Sequence, residues 1–271
     1  MKLIAVDVDG TLLNSKNKIS QRTRKSLIKA MEEGHKVVIV SGRPTEAINA
    51  IAKELNFGKY AGLISAFNGG AIINFETKEE LSNHVLDLDF TKEILKESRD
   101  LGIDVLIPKH RTMISAKDNR YLNLEREILG FDTEVRKDLI ENIDFTPNKL
   151  LLASDKETLD KIVPSLEEKY KKRASLVRSQ DFYYEVMPQG LSKGKSLLEI
   201  ASYYGIEQKD IIAFGDQMND ETMIEIAGVG VAMANAVEAI KEIADYVTLS
   251  NDQDGIADYL EKFVLKGDDN D

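Results

Sequence analysis

Two aspartates one residue apart, Asp7 and Asp9, close the apolar run MKLIAV and lead straight into Gly10 and Thr11. Like charges this close repel, and each favours protonation of the other. A cation is the usual companion of such a pair. Taken alone, DVDGT reads equally as a strand-ending turn whose aspartates bind backbone amides. A calcium loop counted from Asp7 fails, because it needs Gly and Glu where Leu12 and Lys18 stand. Far down the chain GDQMND repeats the arrangement: an apolar strand, a glycine turn, then Asp216, Asn219 and Asp220. Helix capping by Asp220 would explain one residue of these three.

The chain has no cysteine, so thiolate metal sites and cysteine nucleophiles are excluded, and its 3 histidines, His35, His84 and His110, are scattered. Hydrolytic chemistry must therefore lean on carboxylates. Two acid clusters at strand ends, with oxygen donors only, point to one magnesium site. SGRP (Ser41 to Pro44) reads either as a turn or as a hydroxyl and a Gly42 amide aimed at a phosphoryl oxygen. GLSKGKS is not a phosphate-binding P-loop, since that motif needs glycine at position 189 and Gln189 stands there. Lys193 is nevertheless badly placed for mere solvation, because a cation is unfavourable at the positive end of a helix. GVGVAM is no dinucleotide fingerprint either, with Met233 where Gly or Ala is required.

The elements that must position these residues alternate short β-rich runs with helix-period stretches, the pattern of a parallel α/β sheet. The expected strands are Leu3 to Val6, KVVIV ending in SGRP, GLISAF ending in NGG, IIAF ending in GDQMND, VGVAM and YVTL. The expected helices are Ser20 to Glu33, Ala47 to Leu55, Lys193 to Tyr204, Glu221 to Ala227 and Val237 to Ile243. Ligands of such sheets bind at the carboxyl ends of the strands, near the reversal of strand order. Asp7 and Asp9, Ser41 and Gly42, and Asp216 to Asp220 all follow strands and should converge. The middle of the chain is different: it is rich in charge, with strand candidates DVLI, KLLLAS and FYYEVM spaced by helices. It reads as an inserted α+β cap domain over 83–188, with MPQG as the return hinge, and core segments 1–82 and 189–271 on either side. The closing KGDDND reads as a frayed acidic tail.

At 271 residues there is ample length for a buried core in one large domain or two smaller ones. A net charge of −11 argues against a nucleic-acid surface or an anionic membrane partner. No run approaches the apolar length of a membrane span, and the first apolar run is too short for a secretory signal. A cytoplasmic location, with no obligate protein partner, is the expectation.

With these stations in order, the chain resembles the haloacid dehalogenase superfamily, and more narrowly its Cof-type sugar phosphatases. The family's DxDGT stands as Asp7 to Thr11 and its Ser or Thr station as Ser41. Its helix-starting lysine stands as Lys193 in LSKGKS, and its GDxxND as GDQMND. AGVGVAMANA and the Asn-Gly turn in FNGG (Phe67 to Gly70) also match. The resemblance implies a Rossmann-like core carrying a large cap, and a small phosphorylated metabolite as substrate. It implies Asp7 as nucleophile and Asp9 as general acid and base. Mg2+ would be held by the Asp7 and Asp216 carboxylates and the Asp9 carbonyl. Val8, Ser41, Gly42, Lys193 and Asn219 would bind the phosphoryl group, with Asp220 orienting Lys193 or a metal-bound water. Three rivals stand beside this reading: a phosphorylated signalling receiver, which would be far shorter, a phosphosugar mutase, and a non-catalytic sugar-phosphate-binding regulator.

Overall fold

The computed structural model describes residues 1–266, and these form two compact units. The first takes Met1–Ser82 and the chain from Ser192 onward; the second is Asn83–Leu191. The acidic tail read in KGDDND lies outside the described residues except for Lys266.

The first unit is built on an 8-stranded sheet. Its order is Tyr246–Val247, Val229–Ala232, Ile211–Gly215, Leu3–Val6, Lys36–Val40, Leu63–Ala66, Ala71–Asn74, Glu80–Asn83. From Tyr246–Val247 through Leu63–Ala66 every neighbouring pair is parallel. Ala71–Asn74, which the sequence pattern does not announce, turns back antiparallel against Leu63–Ala66. Parallel strands buried on both faces read as unbroken apolar runs, which is why LIAV, KVVIV and IIAF carry no alternation.

Side chains alternate across that sheet all the same. Ile4, Val6, Ile39, Ile64 and Phe214 face a layer formed by the helices Gln21–Glu32, Thr45–Glu54 and Gly255–Phe263. Leu3, Ala5, Val38, Val40 and Ala213 face the other layer, formed by Lys193–Tyr204, Glu221–Ile226 and Glu238–Ile243. Ser20 caps the first of these helices, its hydroxyl accepting the Thr23 N–H. Strand order reverses around Leu3–Val6, which lies between Lys36–Val40 and Ile211–Gly215. The register sets Val6 opposite both Phe214 and Ile39. Asp7 therefore leaves the sheet beside Gly215, and Ser41 leaves two residues beyond Ile39.

The second unit is a 6-stranded sheet ordered Ala174–Gln180, Tyr183–Pro188, Leu150–Ala153, Asp104–Lys109, Thr112–Ser115, Asp132–Val135. Only the last pair is parallel. The helices Leu88–Asp100 and Lys156–Tyr170 cover one face through a core that includes Phe90, Ile94, Leu159 and Tyr184. On the other face Tyr121 and Leu122, from helix Arg120–Leu129, pack with Leu106, Met113, Leu151 and Tyr183. No helix of the described residues is long and apolar enough to cross a membrane.

Candidate active site

Lys193 is the first residue of its helix and is completely buried. Its ammonium donates to Asp7 Oδ1 at 2.6 Å and to Asp220 Oδ1 at 2.5 Å. Burial works against the charge, but Asp220 and Asp7 outweigh it and hold the lysine protonated, its pKa above the ordinary value. The unfavourable helix end is offset by two carboxylates.

Asp220 Oδ2 accepts the backbone N–H groups of Asp216 and Gln217, at 2.8 and 3.0 Å. Its side chain thus clasps the GDQMND turn and the lysine together, and makes no capping bond to helix Glu221–Ile226. Asp216 Oδ1 accepts from the Thr11 hydroxyl at 2.8 Å. Gly10, at φ +80°, brings the DVDGT turn in so tightly that a Cβ there would stand 2.3 Å from Asp216 Oδ2. Asn235 steadies the same turn, donating to the Gly10 carbonyl at 2.8 Å.

Oxygens of Asp7, Asp216 and Asp220 lie within 4.8 Å of one another, all three residues buried. One ammonium cannot balance three carboxylates. Burial first, then the repulsion of Asp220, Asp216 and Asp9, drives Asp7 well above the usual carboxylate range, against the pull of Lys193. Burial, aided by Asp220 and Asp9, pushes Asp216 up to about 7, although the Thr11 hydrogen bond and Lys193 oppose it. Buried acids held so far from their preferred ionisation are suited to a hard divalent cation, which takes oxygen ligands.

Asp9 is placed differently. Its carboxylate is 58% exposed and gripped from both oxygens by Arg43, with Nε to Oδ2 at 2.8 Å and Nη2 to Oδ1 at 2.5 Å. Ser41 is buried, its hydroxyl accepting the Arg43 backbone N–H at 3.1 Å. It does not cap helix Thr45–Glu54, whose first turn has no side-chain cap. Val8 is buried, and its carbonyl accepts the Leu13 N–H at 2.9 Å. Asn219 lies beside Asn68, donating Nδ2 to Oδ1 at 3.3 Å. Gly42 also borders Asn68, whose Oδ1 would stand 3.1 Å from a Cβ there. The structure thus gathers Asp7, Lys193, Asp216 and Asp220 by direct contact, and turns Asp9 toward Arg43. Thr11, Arg43 and Asn68 received no role from sequence reasoning. The signals were present, since each lies within a motif already singled out: DVDGT, SGRP and FNGG.

The sequence profile of the haloacid dehalogenase-like hydrolases matches residues 4–260. The chain belongs to this family. YxeH of Bacillus subtilis (strain 168), provisionally named a phosphatase, is 34% identical, with 97% of this chain and 98% of the relative covered. From the same organism, the 5-amino-6-(5-phospho-D-ribitylamino)uracil phosphatase YwtE is 32% identical over 97% of this chain and 98% of its own. The crystal structure of a haloacid dehalogenase-like hydrolase from Bacteroides thetaiotaomicron matches with a TM-score of 0.89 and 35% identity, covering 96% of this chain and 98% of that one. As a haloacid dehalogenase-type enzyme, the protein is a phosphoric monoester hydrolase that acts on small phosphate substrates.

Proposed function

We propose that this hydrolase is a cytoplasmic, magnesium-dependent phosphatase of small phosphate monoesters, sugar phosphates foremost, working through an aspartyl-phosphate on Asp7. The observation that carries the reading is the single buried ammonium of Lys193 set among Asp7, Asp216 and Asp220. The excess negative charge suits one divalent cation, and the oxygen-only donor set of a chain without cysteine suits magnesium. Asp7 and Asp216, with the Asp9 carbonyl, would hold Mg2+, which supplies Lewis-acid neutralisation of the phosphate dianion. Asp220 has both oxygens engaged by Lys193 and the turn amides, which favours an orienting role for it.

In the first step an Asp7 oxygen forms a bond to phosphorus as the ester P–O bond breaks. The departing oxygen takes a proton from Asp9. In the second step water attacks phosphorus, its proton passes to Asp9, and the Asp7 carboxylate is released. Splitting one displacement into two is the gain from covalent catalysis. Asp9, whose carboxylate is exposed although Arg43 holds both of its oxygens here, would serve both steps on turning from Arg43 toward the leaving group and then water. Val8, Ser41, Gly42, Lys193 and Asn219 would cradle the phosphoryl oxygens, the positioning that dominates phosphoryl transfer.

Among the similar proteins, YwtE is named for a substrate that carries its phosphate on a ribityl chain, a polyol close in chemistry to a sugar. The reading is tested by release of phosphate from a panel of sugar phosphates and one aryl phosphate. Turnover should vanish with a chelator, return with magnesium, and fall at least about a thousandfold in Asp7→Asn. Full turnover in metal-free protein, or in a folded Asp7→Asn variant, would overturn it.

A further inference from the structure

The turn FNGG, Phe67 to Gly70, has no part in the mechanism above, yet its backbone is the most strained beside the site. Phe67 and Asn68 are both left-handed, at φ 54° and 56°, and Gly69 follows at φ 100°. Consecutive non-glycine residues in that region are costly, above all a bulky aromatic, and persist where their surroundings over-determine them.

Those surroundings are the phosphate-binding stations. The Asn68 N–H donates to the Ser41 carbonyl at 2.9 Å and the Phe67 N–H to the Arg43 carbonyl at 3.1 Å. The Asn68 side chain, 3% exposed, lies against Gly42. On the other side, a Cβ on Gly69 would stand 2.8 Å from the Ser192 carbonyl and 3.0 Å from Ser196 Cβ, where the helix bearing Lys193 begins. Asn68 Oδ1 then accepts from Asn219 Nδ2 at 3.3 Å. One residue thus joins the Ser41–Arg43 loop to Asn219, and its neighbour rests on the start of the lysine helix.

We propose that Asn68 is a positioning residue of the phosphate cradle. Its Oδ1 fixes the Asn219 carboxamide so that the amide nitrogen, and not the amide oxygen, is offered to the phosphoryl group. A carboxamide nitrogen has two N–H bonds. One is held by Asn68, and the second is aimed at the anion. Without that acceptor the Asn219 amide can turn over and present a carbonyl that repels phosphate. The proposal rests on the phosphatase reading above.

Orthovanadate, a phosphate-shaped probe, tests it by equilibrium binding to the magnesium-loaded protein, alongside kcat and KM for an aryl phosphate. Asn68→Gly tolerates the left-handed backbone and removes the side chain with its carboxamide. It should weaken vanadate about tenfold or more, the order expected for a lost hydrogen bond to a charged group, and lower kcat similarly. In an Asn219→Ala background it should add nothing, because Asn68 acts through Asn219. Asn68→Ala removes the acceptor without adding charge, so it should weaken vanadate to a similar extent. A role confined to the turn would leave both single variants at wild-type vanadate affinity. That result, or full additivity with Asn219→Ala, overturns the proposal. If Asn68→Gly fails to fold, Asn68→Ala, alone and with Asn219→Ala, decides by the same criterion. Wild-type protein that neither hydrolyses the aryl phosphate nor binds vanadate would instead overturn the phosphatase reading.

Discussion

The two compact units are both sheets clad in helices, but they differ in how charge is buried. In the first, parallel strands deliver their carboxyl ends to a single edge, so polar residues that follow different strands must meet there. The result is an imbalance: Lys193 against Asp7, Asp216 and Asp220. In the second, mostly antiparallel strands send successive ends to opposite edges. Its buried charges include Lys149 and Glu185, an ammonium and a carboxylate 3.0 Å apart. Among the described residues, the acid cluster able to hold a metal lies in the first unit. The second unit's buried pair is matched in charge and the first unit's cluster is not, and that imbalance is what favours the cluster as the site of the proposed chemistry. On the proposed reading, the stations of the first unit would hold a phosphoryl group, with no residue assigned to the rest of a substrate. Selectivity is therefore our proposal for 83–191.

The largest effect that would break this contrast belongs to Asp9. Asp9→Asn should slow the first chemical step on a sugar phosphate by about 100- to 10,000-fold, the usual worth of proton transfer. An aryl phosphate, whose phenolate leaves without much help, should lose far less in that step. Burst-phase kinetics on both substrates make the comparison. Equal losses would remove Asp9 from the general-acid role and leave the first unit with a nucleophile alone.

A smaller effect is expected from the second unit. Joining Ser82 to Ser192 through a short Gly/Ser linker should flatten the ranking among sugar phosphates, while the aryl phosphate rate falls less. Circular dichroism establishes that the remaining sheet is folded. A shortened protein that kept the parent's full substrate ranking would place selectivity in the first unit.

The smallest effect is thermal and concerns the imbalance itself. Burial and its acidic neighbours raise Asp216 from 3.8 to about 7, so between those values the folded state binds more protons than the unfolded chain. Stability must then fall as pH rises through that window, and level off above it. Metal-free protein should lose a few degrees of melting temperature between about pH 5.5 and 7.5. Asp216→Asn should lose less, the difference isolating this carboxyl from other titrating groups. Magnesium should stabilise the wild type more at the upper pH, where it no longer competes with a proton. Identical pH profiles for wild type and Asp216→Asn would mean that the cluster is not electrostatically strained.

Much of the first unit was legible in the sequence because its signals are local. KVVIV and IIAF are unbroken apolar runs bounded by glycine turns, and Ser20 and Lys193 mark helix starts. The lysine's odd position at a positive helix end marked it as more than a solvated group, and the structure sets its ammonium between Asp7 and Asp220. The Asp9–Arg43 grip was not legible, since it depends on where two loops emerge from adjacent strands and on side-chain conformation. Nor was the left-handed pair Phe67–Asn68, because FNGG alone suggests only that its glycines take positive φ. In the second unit, Asp132–Val135 and Ala174–Gln180 are edge strands with little full burial, so no apolar alternation announces them.

The central claim is that phosphorus passes through Asp7. Asp9→Asn protein with magnesium and an aryl phosphate tests it most directly, because loss of the base should stall the second step. Rapid acid quenching, digestion and mass analysis of the peptide that contains Asp7 follow the phosphoryl group, while phenol and phosphate are counted in the same samples. The account predicts a burst of phenol that runs ahead of phosphate, with the missing phosphoryl group carried on Asp7. Phenol and phosphate released one for one through the first turnover, with the Asp7 peptide unmodified, would contradict it.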